Sequence, residues 1–131
     1  MRVLVCGGRD FDDRALLEAT LDRLHHAHVF TVLIEGDARG ADRMAGEWAE
    51  SQGIAHEIFT ADWETLGPKA GPIRNQQMLD EGRPDLVVAF AGTAGTDHMK
   101  RIAREAGIEV VEVKAWKSLT RHRIRCTLKG A

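Results

Sequence analysis

A chain of 131 residues with 44% hydrophobic and 29% charged side chains has the size and balance of one soluble globular domain. No apolar run approaches the ~20 residues that span a bilayer, and the apolar start, Met1 to Gly8, is too short for a signal peptide; the chain reads as cytoplasmic, with no membrane partner. Residues 1–113 carry 12 Lys/Arg against 20 Asp/Glu while residues 114–131 carry six basic residues and no acidic one, so the acidic body argues against broad nucleic-acid binding and leaves only the tail as a basic arm.

Taken in chain order, residues 2–6 form a short apolar run that stops at Gly7-Gly8, which predicts a buried strand. Residues 12–27 place Leu16, Leu17, Thr20, Leu21 and Leu24 on one helical face, with Asp12 or Asp13 as N-cap. A second strand is expected over 30–35 and a second helix over 40–53, the latter with Ala41, Met44, Ala45, Trp48 and Ala49 on one face. Residues 54–61 alternate as an edge strand does. A loop is predicted over 62–71, then a helix over 72–82 opened by Pro72. The most hydrophobic strand is 85–91, followed by a helix over 96–107 and a fifth strand over 108–113.

Strand and helix patterns thus alternate, with short connections, as in a parallel sheet covered by helices on both faces. The simplest arrangement is a three-layer α/β sandwich with a five-stranded sheet of order 3-2-1-4-5. Residues 1–113 make the domain and 114–131 a basic tail. In the tail Ile124, Cys126 and Leu128 alternate with Arg123, Arg125 and Thr127, which suits an added strand on the domain's own sheet edge or on a second subunit in a homo-oligomer. Cys6 and Cys126 are expected as free thiols, and their spacing fits no metal site. No cofactor is expected.

In that topology ligands bind beyond the carboxyl ends of the strands, where strands 1 and 4 lie side by side. Three glycine-bearing loops meet there: Gly7-Gly8-Arg9-Asp10, Gly36-Asp37-Ala38-Arg39-Gly40-Ala41-Asp42, and Gly92-Thr93-Ala94-Gly95-Thr96. Each runs toward a helix N-terminus, whose unpaired N–H groups favour an anion. Arg9, Arg39 and Arg74 supply planar donors suited to phosphate, and Thr93 and Thr96 supply hydroxyls.

Four blocks, Leu4–Phe11, Gly36–Ala49, Gly71–Leu79 and Val87–Met99, resemble those of the YspA-like family of the SLOG superfamily, small Rossmann-like proteins related to LOG and Smf/DprA proteins. The resemblance covers about residues 2–113. It implies a site for a nucleotide or nucleotide-derived ligand, such as an ADP-ribose or NAD derivative or a nucleoside monophosphate, and includes Arg74-Asn75 among the site's residues. The superfamily's Pro-Gly-Gly-x-Gly-Thr loop reads here Ala91-Gly92-Thr93-Ala94-Gly95-Thr96. LOG-type enzymes follow Gly-Thr with a catalytic Glu; this chain has Asp97-His98-Met99. The resemblance therefore carries over binding, by a sensor or sequestering module, more directly than catalysis. The alternatives are a hydrolase acting on an N-glycosidic or phosphoester bond, and nucleic-acid binding through the tail.

Particular residues carry two readings each. Arg9 and Asp10 suit a phosphate and a ribose hydroxyl, or a mutual surface pair. Arg39 and Asp42, three apart, share a face if both are helical. Arg74 in a first helical turn opposes the helix dipole, which points to an anion partner. Glu35 and Glu47 are the carboxylates available as general bases. His25, His26 and His28 suit a helix C-terminus better than a metal, and His98 is the histidine on the helix that follows the glycine loop. Trp48 belongs to the core, whereas Trp63 either stacks on a base or plugs the loop.

Overall fold

The computed structural model describes residues 1–114 and the backbone of 125–126. Strand β1 (Arg2–Cys6) lies between β2 (Val32–Glu35) and β4 (Leu86–Ala89), parallel to both, with Leu4 opposite Ile34 on one side and Val87 on the other. The strands β3 (Ala55–Ile58) and β5 (Glu109–Lys114) extend the sheet in parallel, giving the order 3-2-1-4-5. The short strand β6 (Arg125–Cys126) adds antiparallel to β5, with Cys126 opposite Val113. The side chains of the tail's alternation, and a basic arm, lie outside the described residues.

The period-two alternation of β1 divides the core. Val3 and Val5 point to one face, where α1 (Arg14–His28) and α2 (Ala41–Ser51) bury Leu17, Leu21, Ala45 and Trp48. Leu4 and Cys6 point to the other, against Met78 and Leu79 of α4 (Ala70–Gly82) and Met99, Ile102 and Ala103 of α5 (Ala94–Glu105). Polar ties fix the helices. Asp13, not Asp12, caps α1 by accepting the Leu16 N–H at 3.0 Å. The Trp48 indole N–H donates to Asp22 at 2.8 Å, and His25 Nδ1 accepts the Phe30 N–H at 2.9 Å.

The segments that lead into α4 and α5 differ from expectation. The predicted loop over 62–71 contains a one-turn helix, α3 (Trp63–Leu66), and a 3₁₀ turn, Gly67–Lys69. Asp62 caps α3 by accepting the Thr65 N–H at 3.2 Å. Helix α4 accordingly begins at Ala70, and Pro72 sits in its first turn, where no N–H partner is required. Helix α5 begins at Ala94 rather than 96, so Gly95 and Thr96 belong to its first turn.

Candidate ligand-binding crevice

The carboxyl ends of β1, β2 and β4 open into a crevice of about 1320 Å³. From the loop after β1 it is lined by Gly7, Gly8, Arg9 and Asp10, and from the loop after β2 by Gly36, Arg39 and Asp42. Helix α4 contributes Arg74 and Asn75; the start of α5 contributes Gly92, Thr93, Gly95 and Thr96. Of the residues expected to bind the ligand, Gly40 alone is absent from the lining.

Most of these glycines serve close packing between loops. A methyl group at Gly7 would fall 2.6 Å from Ala41 Cβ, and one at Gly8 would fall 3.1 Å from the Ala91 carbonyl oxygen and the Gly92 Cα. Gly40, at φ +87°, lies so close to the Gly8 and Arg9 carbonyls that a side chain there would strike backbone, besides adopting a left-handed conformation. Gly36 lies under the Arg74 guanidinium, whose Cζ would be 2.7 Å from an added methyl. The Gly8 N–H is itself used, donating to the Ala91 carbonyl at 2.8 Å. The β1 loop is therefore a wedge between the other two loops.

The start of α5 is different. The first helical N–H to find a partner is that of Asp97, which donates to the Thr93 carbonyl at 2.9 Å. Among the described residues the N–H groups of residues 92 to 96 have no hydrogen-bond partner, and Thr93 at the N-cap makes no side-chain cap. These are the orphan donors of a helix start, at the positive end of its dipole. Gly95 has open space where a Cβ would point. The Thr96 side chain is buried and packs against Gly92, so it shapes the turn while the exposed Thr93 hydroxyl remains free.

Helix α4 ties into this turn through Asn75, which is 4% exposed. Its amide nitrogen donates to the Gly95 carbonyl at 3.2 Å and to His98 Nδ1 at 3.0 Å; its amide oxygen accepts from Arg74 Nε at 3.1 Å. Because an amide nitrogen only donates, His98 Nδ1 is the acceptor and the ring proton sits on Nε2; burial pushes the His98 pKa down, with Arg101 adding to the effect. Arg74 also donates to the Gly36 carbonyl. It sits a full turn into α4, beyond the first turn in which a cation opposes the dipole. Among the described residues the half-buried Arg74 makes no ion pair with a carboxylate, and burial lowers its pKa. An anion would offset that unpaired charge.

The acidic groups near the crevice are muted or turned away. Asp42, 6% exposed, accepts the Ala38 N–H at 3.2 Å, and burial raises its pKa to about 7. It does not share a face with Arg39, which precedes the helix and instead pairs with Asp10 at 3.1 Å. Arg9 and Asp10 therefore do not pair with each other. Arg9 lies over the Trp63 ring, 5.4 Å from its centroid. Neither candidate general base lines the crevice. Glu35 is buried, binds the Asp37 N–H and His56 Nε2 (2.7 Å for the latter), and is held above the usual carboxylate range by burial. Glu47 pairs with Arg14 at 2.7 Å. Sequence reasoning missed the Asn75–His98 contact, which joins two helices, and Arg43, which lines the crevice and reaches Asp37 at 3.4 Å. Among the described residues no group of three or more His, Cys, Asp or Glu could hold a metal, and no helix is long and apolar enough to cross a membrane.

Residues 1–65 match the YspA, cpYpsA-related SLOG family. The chain is 40% identical over 118 residues to the Gene 61 protein of Mycobacterium phage D29, covering 84% of this chain and 94% of that protein. The chain belongs to the YspA, cpYpsA-related SLOG family. The family-matched segment contains the loops after β1 and β2, and Trp63; Arg74, Asn75 and the start of α5 lie beyond it, and the fold brings them onto the same crevice.

Proposed function

We propose that the crevice binds a phosphate-bearing, nucleotide-derived small molecule and that the protein acts as a sensor or sequestering module for it. The observation that carries this is the row of unpaired N–H groups at residues 92 to 96, tied through Asn75 to the unpaired guanidinium of Arg74. Backbone donors at a helix start and a planar cation are what a phosphate monoester requires. The nucleotide part of the reading rests on the family resemblance, which points to ADP-ribose or NAD derivatives and nucleoside monophosphates. Calorimetric titration with ADP-ribose and the nucleoside monophosphates tests it: saturable heat is expected for at least one, and none for any at millimolar ligand would contradict it.

One observation supports a second reading, hydrolysis of an N-glycosidic or phosphoester bond in the same ligand. Asn75 fixes the tautomer of His98 at the crevice wall, leaving Nε2–H as a proton donor. Asp97, which stands where LOG-type enzymes carry Glu, is exposed and paired with Lys100 at 3.4 Å. Release of base or phosphate during incubation, lost in His98→Gln, would establish the enzyme. A ligand that binds and stays intact would rule it out.

A further inference from the structure

Helix α3 buries no residue and so adds nothing to the core. It is nonetheless built with care, with Asp62 capping its first turn. Its aromatic side chain, Trp63, is 46% exposed and lines the crevice. The indole lies against the backbone of α4 at Gly71, where a methyl group would sit 3.1 Å from Trp63 Cη2. A glycine at that position lets the ring settle on the helix and fixes its attitude. Arg9 covers the ring with its guanidinium, and among the described residues Arg9 makes no ion pair. Its neighbour Gly8 is packed on Gly92, so Arg9 stands between the indole and the loop that opens α5, all on the wall of one crevice.

We infer that Trp63 is the stacking platform for the ligand's nucleobase, so that the crevice takes a nucleotide with its base on the indole and its phosphate on the α5 N–H groups. This inference rests on the phosphate reading above and adds the base to it. Arg9 is the movable part. A cation over an exposed ring is held weakly compared with a stacked base, so the base displaces the guanidinium, which is free to turn to the phosphate. A plug for the core would instead be buried and surrounded by apolar neighbours.

The test compares adenosine monophosphate with ribose 5-phosphate, which lacks the base, by calorimetry on the full chain. Trp63→Ala is expected to weaken adenosine monophosphate binding about 5- to 100-fold, leaving ribose 5-phosphate within about twofold; Trp63→Phe is expected to recover most of the loss, since it keeps an aromatic face. Equal weakening of both ligands, or unchanged adenosine monophosphate binding, overturns the base platform while the phosphate reading stands. Wild-type protein that binds neither ligand overturns the base platform, and the phosphate reading falls with it if ADP-ribose and the other nucleoside monophosphates also give no heat.

Discussion

The loops after β2 and β4 look alike in sequence, each with two glycines where a helix starts, yet they do opposite work. In the first, Gly36 lies under Arg74, Gly40 abuts the carbonyls of the β1 loop, and Asp42 turns back to the Ala38 N–H. In the second, five successive N–H groups lack partners among the described residues and Gly95 faces open space. One loop is spent on holding the crevice in shape; the other leaves its N–H donors open and is the one we propose for the ligand. Glycine in a sequence signals a close approach but does not say whether protein or ligand makes it.

Substitutions in the closed loop should change stability. Asp42 has a folded pKa of about 7 against an unfolded value near 4, so the folded state favours its protonated form. That contribution is fully present below about pH 4 and is lost as pH rises toward about 7, amounting to at most roughly 4 kcal/mol. Asp42→Asn should therefore be more stable than wild type at pH 8 and show a flatter pH profile in urea denaturation; an unchanged profile would show that the carboxyl is not destabilised by burial. Gly40→Ala should cost about 3 kcal/mol, from a positive φ and backbone overlap, read as a lower urea midpoint. A loss under 1 kcal/mol would mean the loop yields easily.

Arg74 links the two loops, and its loss should appear mainly in binding. Arg74→Ala is expected to weaken a nucleoside monophosphate about 10- to 100-fold, the worth of a charge-assisted hydrogen bond, measured by calorimetry beside a thermal melt. A lower melting temperature with unaltered affinity would make Arg74 a structural support for Gly36 alone. The smallest effect belongs to the open loop. Gly95→Ala should leave stability unchanged or raised by less than about 1 kcal/mol while weakening the ligand about fivefold by crowding the N–H row. Unchanged affinity would place the ligand elsewhere in the crevice.

Much of the fold was legible because period-two and period-3.6 patterns alternate with few ambiguities, and the parallel order follows from short right-handed connections. Helix α3 was not, since four residues cannot display a helical period and Gly67-Pro68 reads as a loop. The crevice lining was legible as a set of loops. What each residue does there was not. The partner of Asp10 lies 29 residues away at Arg39, and the Asn75–His98 contact spans 23 residues and two helices. Glu35 and Glu47 stood out as acids, but the direction of a side chain at a strand end or on a helix decides whether it meets the crevice, and both point elsewhere.

The central claim is that the start of α5 is where the ligand's phosphate sits. The most direct measurement is an amide-detected NMR titration with adenosine monophosphate, following the backbone resonances one by one. The account predicts saturable shifts largest at Gly92, Thr93, Ala94, Gly95 and Thr96, with the Arg74 side-chain signal moving at the same ligand concentration. Saturation of any other set of amides while these five stay still would contradict it.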